Sequence, residues 1–505
     1  MKYQMLLLCS LAFSLLIAEL PVQAQSPTFT VLYSFSSIGA NLTNDDGADS
    51  QSGLILSGNT FYGTAYQGGV AANGAVFRID PNGSTFTFSN LRSFTATNLP
   101  NLTNTDGANP IAGLILSSGT LYGTTQNGGA GGSGIVFSLN TDGSYFSNLY
   151  SFTANSAGSD YTNGDGANPA SALVLSGNTL YGTAQNGGAG GSGTVYRVNI
   201  DGSGFTNLHS FTINSDAPDY TNNDGAYPAG SLMLTGQTLY GMAQRGGPMG
   251  NGTVFRVNTD GSGFTNLHSF TFTSSVSPYT NSDGAVPLGN LILSGDKLYG
   301  TVPLGGVRGG GVVFSINTDG SDFTNLYNFT ATNGPNSTNF DGSQPIAGLL
   351  LLNHTLYGAA GLGGTGGNGT IFSLNINGSN FVNLYNFTST SSASSYTNND
   401  GAVPLGNLIL SDDTLYGTTA KGGGSGAGTV FALGLPVPPL SIAFMTGQSV
   451  ISWPAWGSNF ALQATTKLYS GNWSNITDGP PIIGTNYVFT NILKDQAGYF
   501  RLEQK

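Results

Sequence analysis

Short apolar runs separated by polar turns recur along most of the chain. Between Gly113 and Phe152, the apolar runs are Leu114–Leu116, Thr120–Thr124, Ile135–Leu139 and Phe146–Phe152. Ser, Asn, Asp and Gly residues, which favour tight turns, separate the runs. The pattern therefore predicts four short strands that follow one another as an up-and-down sheet.

This four-strand pattern repeats with a nearly constant period. One marker is the tyrosine of a Leu/Phe-Tyr-Gly tripeptide, whose copies are Tyr62, Tyr122, Tyr181, Tyr240, Tyr299, Tyr357 and Tyr416. The aspartate of Thr-Asn-x-Asp-Gly keeps the same spacing, at Asp46, Asp106, Asp165, Asp224, Asp283, Asp341 and Asp400. Seven four-stranded units of about 59 residues predict an all-β, seven-bladed β-propeller rather than a solenoid, whose coils are shorter.

The two ends of the repeat array are complementary. Phe29–Phe35 matches a fourth strand but precedes the first complete unit, whereas the seventh unit ends with its third strand, Gly428–Leu433. We therefore expect the N-terminal strand to pair with Thr429–Leu433 and close the ring, which removes two exposed strand edges. The propeller is predicted to occupy residues 28–434.

The segments outside the propeller have other compositions. Residues 1–24 combine Lys2, an apolar core and a small-residue cleavage pattern, as in a secretion signal, and they contain Cys9, the only cysteine. The mature chain is therefore expected to be secreted or cell-surface, without a disulfide or a transmembrane segment. Residues 435–439 form a Pro-rich linker, and residues 440–505 are predicted to form a small immunoglobulin-like β-sandwich.

Net charge excludes one class of partner. The chain has 13 basic and 25 acidic residues, so its net charge is −12, which argues against nucleic-acid binding.

The repeat resembles a known family, the GloVer tandem repeats of secreted bacterial proteins. The resemblance rests on Asp-Gly-Ala-x-Pro, Leu-Ile-Leu-Ser-Gly-Asn-Thr-Leu-Tyr-Gly-Thr, Gly-Thr-Val-Phe and Asn-Thr-Asp-Gly-Ser-Gly-Phe-Thr-Asn-Leu, and it covers about residues 28–433. Such proteins carry a choice of C-terminal anchors, and the segments around Trp453 and Trp473 resemble one such terminal domain. The resemblance implies export but no particular activity.

The seven Asp-Gly aspartates invite a comparison with calcium loops. A calcium ion needs six to eight oxygen ligands, usually with a bidentate carboxylate downstream, and none recurs at that distance. We therefore interpret them as structural turn residues that accept backbone N–H groups. A second Asp-Gly loosely resembles the Asp-box of sialidase propellers, at Asp142, Asp201, Asp260 and Asp319. Asn82 and Asn377 replace it in two copies, which also indicates a turn.

Other candidate motifs are weak. No Lys-Ser/Thr follows the Gly-Gly pairs, so a phosphate-binding loop is not predicted. His209 and His268 occupy a strand position that holds Tyr or Arg in the other copies, which indicates a half-buried site rather than a metal or catalytic one. We predict no cofactor, no metal and no catalytic residue.

The connections between blades hold the best candidates for binding. In a four-stranded blade they emerge on the same side as the Gly-rich loops, and four of them carry a tyrosine just before Thr-Asn: Tyr161, Tyr220, Tyr279 and Tyr396. Aromatic rings among amides suit sugars or peptides. The alternative is that each tyrosine only fixes its own loop on the blade.

The leading hypothesis is a secreted, non-catalytic binding module for extracellular carbohydrate or protein. The alternative is a polysaccharide-active enzyme with an acid pair near the central axis, and a third is a purely structural envelope component. An enzyme should break the repeat symmetry with residues unmatched in other copies, and these are Asp216, Asp219, Arg245, Arg308 and Asp322.

Overall fold

The computed structural model describes residues 27–504 except 83–84, 157–160, 216–219, 275–276, 335–336, 392–395, 437–440, 446–447, 455–459, 466–473, 477–481, 484–485 and 493–498. All regular secondary structure in these described residues is β-strand. The predicted signal peptide lies outside the described residues, as does most of the predicted linker.

The strands follow the chain blade by blade after β1 (Thr28–Ser34). Blade 1 contains β2 (Ile55–Ser57), β3 (Thr60–Ala65), β4 (Ala75–Asn82) and β5 (Thr85–Ser93). Blade 2 contains β6 (Ile115–Ser117), β7 (Thr120–Thr125), β8 (Ile135–Asn140) and β9 (Ser147–Ser151). Blade 3 contains β10 (Val174–Ser176), β11 (Thr179–Ala184), β12 (Thr194–Asn199) and β13 (Thr206–Ser210).

The fourth blade has one strand more than the others. Blade 4 contains β14 (Ala226–Pro228), β15 (Met233–Thr235), β16 (Thr238–Arg245), β17 (Thr253–Asn258) and β18 (Thr265–Ser269). Blade 5 contains β19 (Ile292–Ser294), β20 (Lys297–Val302), β21 (Gly309–Asn317) and β22 (Thr324–Thr330). Blade 6 contains β23 (Leu350–Leu352), β24 (Thr355–Ala360), β25 (Thr370–Asn375) and β26 (Val382–Asn386). Blade 7 contains β27 (Ile409–Ser411), β28 (Thr414–Thr419) and β29 (Thr429–Gly434).

These strands form the seven antiparallel blades of a β-propeller, as the sequence period predicts. In blades 1–3, 5 and 6 the sheet order follows the chain order, from a short first strand beside a central channel to a fourth strand at the periphery. Blade 7 differs because its fourth place is taken by β1, which pairs antiparallel with β29 from Thr28 opposite Gly434 to Ser34 opposite Thr429. A side-chain bond also joins blades 7 and 1, from Thr418 Oγ1 to the Ser52 carbonyl at 2.7 Å.

The hydrophobic core lies between neighbouring blades. One cluster, for example, packs Tyr62 and Phe94 of blade 1 against Leu121 and Phe137 of blade 2. The aromatic ring of each third strand is fully buried. The position of this ring explains why glycine follows tyrosine in the Leu-Tyr-Gly marker. A Cβ atom at Gly123 would lie 2.6 Å from the Phe137 ring, which is too close for a van der Waals contact.

The C-terminal residues form two further antiparallel sheets. Their strands are β30 (Ser441–Met445), β31 (Gln448–Pro454), β32 (Phe460–Thr465), β33 (Ser474–Asn475), β34 (Ile482–Ile483), β35 (Asn486–Ile492) and β36 (Tyr499–Gln504). One sheet has the order β30-β31-β35-β34 and the other β33-β32-β36. Ile451, Trp453 and Leu462 form a small buried cluster that joins the two sheets.

Candidate functional site

The two ends of the propeller carry different segments. Each Gly-rich loop joins the second and third strands of a blade, as Asn127–Gly134 does in blade 2, and each blade-to-blade connection emerges at the same end. We call this end the loop face. The Asn-Thr-Asp-Gly turns lie at the opposite end, where the Asn140 carbonyl accepts the Gly143 N–H at 2.9 Å.

The seven Asp-Gly aspartates lie buried in the connections of the loop face. In each copy, one oxygen of this aspartate accepts a hydrogen bond at 2.6–3.0 Å from a side chain of the preceding fourth strand. The donating side chain holds the same strand position in every copy. The pairs are Tyr33–Asp46, Arg92–Asp106, Tyr150–Asp165, His209–Asp224, His268–Asp283, Tyr327–Asp341 and Tyr385–Asp400. Each carboxylate also accepts the backbone N–H and hydroxyl of a Ser or Thr, such as Thr153 for Asp165. These bonds occupy the carboxylate oxygens and tie each connection to its blade.

The asparagine two residues before each aspartate completes the loop. Asn104 Oδ1 accepts the N–H groups of Gly107 and Gly129 at 2.9 and 2.8 Å, and its Nδ2 donates to the carbonyls of Thr95 and Gly107. The same four bonds recur around Asn163 and Asn222. Within the described residues, no group of three or more Asp, Glu, His or Cys side chains could hold a metal ion.

The two strand histidines stack between blades. His209 lies parallel to Phe264 of the next blade at 3.7 Å between ring centroids, and His268 lies on Phe323 at 3.9 Å. Tyr150 stacks on Phe205 in the same way at 3.8 Å. The histidines therefore occupy a half-buried stacking position, and hydrogen bonds to Asp224 and Asp283 hold them there.

Ionisation of these paired groups follows their surroundings. Burial, together with the hydrogen bond to Asp165, raises the pKa of the Tyr150 phenol. Burial opposes the ionisation of Asp224, but the hydrogen bonds from His209 and Thr212 outweigh it and lower the pKa of this carboxyl.

The four candidate tyrosines are exposed on the loop face. The relative solvent exposure of the residue is between 41% and 59% for Tyr161, Tyr220, Tyr279 and Tyr396. Tyr161, Tyr220 and Tyr396 have a positive φ of 46–47°, which non-glycine residues rarely adopt. The structure does not bring the four together, since each belongs to a different connection, but Tyr220 lines a pocket described below.

A channel of about 560 Å³ runs along the axis and is lined by residues of all seven blades. The described residues that line it include Gln51, Gln126 and Gln185 at the loop face, with backbone and aliphatic side chains beyond. This lining contains no carboxylate, so the acid pair that the enzyme hypothesis places near the axis is not among these residues.

The repeat symmetry is broken at the residue that follows Asp-Gly-Ala or Asp-Gly-Ser, which we call the junction residue. Its N–H donates to the preceding blade and its φ is positive in all seven copies. The junction residues are Asp49, Asn109, Asn168, Tyr227, Val286, Gln344 and Val403. The junction residue is thus polar or phenolic in blades 1–4, whereas it is valine in two of the other three blades.

The end of each second strand, beside the junction residue, changes in the same way. Blades 1–4 have Tyr66-Gln67, Gln126-Asn127, Gln185-Asn186 and Gln244-Arg245, whereas blades 5–7 have Pro303-Leu304, Gly361-Leu362 and Ala420-Lys421. Amide groups pair within copies, Asn127 donating to Asn109 at 3.1 Å and Asn186 to Asn168 at 3.1 Å, and Asn168 donates across to Asn127 of the preceding copy at 3.2 Å. The loop face therefore has a polar arc over blades 1–4 and a largely apolar arc over blades 5–7.

The polar arc contains a pocket of about 430 Å³ between blades 3 and 4. It is lined by Gln185, Asn186, Tyr220, Tyr227, Gln244 and Arg245. Ala226, beside Tyr227, pairs with Arg245 as the equivalent alanine or serine does with its partner in every other blade, so the side chains at these positions, rather than a different backbone, distinguish this pocket. Gln185 also lines the channel, so the pocket lies beside the channel mouth.

Sequence reasoning identified Tyr220 and Arg245 separately but missed Gln185, Asn186, Tyr227 and Gln244. A column-by-column comparison of the seven copies would have found Tyr227, the only aromatic junction residue. Of the other unmatched residues, Asp216 and Asp219 lie outside the described residues. Asp322 lies at the opposite end, where it accepts a hydrogen bond from Asn317 at 3.0 Å.

The family comparison covers most of the propeller. A family model described as the Gloeobacter/Verrucomicrobia repeat matches residues 90–282, 162–334 and 221–431. No curated protein matches the chain. In the described residues, no helix is long and apolar enough to span a bilayer.

Solved structures are similar only in fold. Oligogalacturonate lyase from Vibrio parahaemolyticus is 10% identical with a TM-score of 0.44, over 82% of this chain and 98% of that one. A nidogen/laminin complex is 11% identical with a TM-score of 0.36, over 62% and 89% of the two chains. TolB from Acinetobacter baumannii is 12% identical with a TM-score of 0.32, over 60% and 58%. Such distant similarities carry no argument about function.

Proposed function

Since the chain belongs to the Gloeobacter/Verrucomicrobia repeat family and its propeller has a polar pocket at one blade junction, we propose that it is a secreted, non-catalytic carbohydrate-binding module. Its ligand surface is the polar arc of the loop face. The observation that supports this most is the pocket of Tyr220, Tyr227, Arg245 and three amides. Most characterised small-molecule sites combine aromatic surface with a few convergent polar groups in this way.

The burial of the acidic side chains also supports binding rather than catalysis. The seven connection aspartates are at most 8% exposed, and each accepts hydrogen bonds from the preceding fourth strand and from its own connection, as Asp165 does from Tyr150 and Thr153. By contrast, Tyr220 is 41% exposed, and the other residues that line the pocket are partly exposed. Side-chain amides and phenols recognise sugar hydroxyls by paired donor and acceptor groups.

We further propose that β1 holds the ring closed, that residues 440–505 form an immunoglobulin-like sandwich, and that residues 1–24 direct secretion. The pairing of β1 with β29 supports the first proposal. The two C-terminal sheets and the buried Trp453 support the second. The Lys2 start and apolar run support the third.

Glycan-array binding of the full chain and its tyrosine variants tests the proposed function. We expect Tyr220→Ala to lose most of the signal, and the combined Tyr161→Ala, Tyr220→Ala and Tyr279→Ala variant to lose at least as much. Tyr145→Ala is the matched control, because this tyrosine is 86% exposed at the opposite end. A triple variant with wild-type melting temperature and unchanged array binding would refute the proposal.

A further inference from the structure

The pocket between blades 3 and 4 has a feature that distinguishes one class of sugar. We propose that it is a subsite for a carboxylated sugar, a hexuronate unit of an extracellular polysaccharide, with Arg245 binding the carboxylate. This inference rests on the proposed carbohydrate-binding function and specifies its ligand.

The first argument is the charge of Arg245 compared with that of its counterpart, Lys421. In blade 7, the Lys421 ammonium lies 3.6 Å from the carboxylate of Asp49, the junction residue of the next blade. In blade 4, the next junction residue is Val286, which offers no charge. No carboxylate of the described residues forms a salt bridge with Arg245. Among the described residues, Lys421 is therefore neutralised internally, whereas Arg245 has no salt-bridge partner and can bind an external anion.

The second argument is the geometry that arginine provides. A guanidinium is planar and always charged, and it binds a carboxylate through two parallel N–H groups. Pairing of Ala226 with Arg245 places the Arg245 backbone at the end of a strand rather than on a free loop. The side chain that would meet a ligand carboxylate therefore starts from a backbone held by a sheet, which lowers part of the ordering cost of binding.

The third argument is the chemistry of the remaining lining residues. Tyr220 and Tyr227 supply aromatic faces for the C–H groups of a pyranose ring. Gln185 donates to Gln244 at 3.4 Å, which is close to the limit for a hydrogen bond, so both amides can exchange this contact for sugar hydroxyls. The volume of about 430 Å³ lies in the usual range for small-ligand pockets.

The fourth argument is that the overall charge of the chain does not attract polyanions in general, so binding of an acidic sugar must depend on a specific site. The chain carries a net charge of −12, so it repels polyanions at long range. Binding of an acidic polymer therefore requires a local cation. Of the other described loop-face arginines, Arg92 is paired with Asp106, and Arg308 lies in the Gly-rich loop of blade 5, outside the pocket. Only one sugar unit needs to be charged in this arrangement.

Isothermal titration calorimetry of the full chain tests the inference with two matched probes. They are a glucuronic acid tetrasaccharide and its methyl-esterified form, in which each carboxylate charge is replaced by a neutral ester that is larger by one methyl group. We expect tighter binding of the acid, with an affinity that falls as salt is raised, and weaker, salt-insensitive binding of the ester. Arg245→Gln should weaken binding of the acid about 10- to 100-fold and leave the ester unaffected.

Controls separate the inference from the proposed function. Tyr227→Ala should weaken both probes, and Arg308→Gln should change neither. Equal binding of acid and ester, or an unchanged Arg245→Gln variant, would overturn the hexuronate inference while the carbohydrate function survives. Binding of a poly-glutamate peptide without either saccharide would also overturn it. If no saccharide on the array or in the calorimeter binds, the proposed function itself fails.

Discussion

Replacement of Asp165 by alanine tests whether the connection aspartates hold the loop face in place. The substitution removes the acceptor of three hydrogen bonds, from the Tyr150 hydroxyl at 2.8 Å, the Thr153 N–H at 3.0 Å and the Thr153 hydroxyl at 2.5 Å. Bonds to a charged acceptor contribute about 1.5–3 kcal/mol each, and water replaces part of this because Thr153 is exposed. We therefore expect a loss of about 2–4 kcal/mol in the free energy of unfolding.

Equilibrium urea unfolding, followed by tyrosine and tryptophan fluorescence, measures this loss. The matched control is Asp142→Ala, because Asp142 bonds only within its own turn, to Ser144. The control should lose clearly less stability than Asp165→Ala. Equal unfolding midpoints for the two variants would refute the conclusion that the buried aspartate joins the connection to its blade.

Three other predictions follow from the fold. Deletion of Thr28–Ser34 should expose the β29 edge and cause association, detected by size-exclusion chromatography; a monomer with wild-type stability would contradict the proposed closure. Tyr196→Phe should raise the free energy of unfolding by about 1 kcal/mol, because the buried Tyr196 hydroxyl has no hydrogen-bond partner among the described residues. The other six blades have phenylalanine at this position. A less stable variant would argue against this reasoning. Because the pKa of Asp224 is lower in the folded state, its ionised carboxylate stabilises the protein above about pH 4, and this stabilisation is lost as pH falls through the folded-state pKa. The urea midpoints of Asp224→Asn and wild type should therefore converge at low pH. A difference that stays constant with pH would contradict this.

The repeat made most of the fold predictable. Similar residues that recur at a fixed period specify similar blades, and the predicted strand Ile135–Leu139 differs from β8 by one residue. The match of Phe29–Phe35 to a fourth strand predicted its partner, because Phe29 and Tyr33 keep the spacing of Phe146 and Tyr150. In the structure Phe29 stacks on Tyr385 at 4.1 Å, as the corresponding phenylalanines do in other blades.

The pocket could not be predicted from the same period. It depends on positions where the copies differ. A pairing that every blade shares brings Tyr227 near Arg245, two residues that are 18 positions apart, but only blade 4 has these side chains there. Tyr220 belongs to a connection and Gln185 to the neighbouring blade. Their convergence follows from packing between blades, which a repeat pattern within one blade does not report.

A crystal structure of the full chain with the glucuronic acid tetrasaccharide tests the central claim most directly. The account predicts a sugar in the pocket between blades 3 and 4, its carboxylate about 3 Å from the Arg245 guanidinium and a ring face against Tyr220 or Tyr227. A saccharide bound at another blade junction or at the opposite end of the propeller would contradict it.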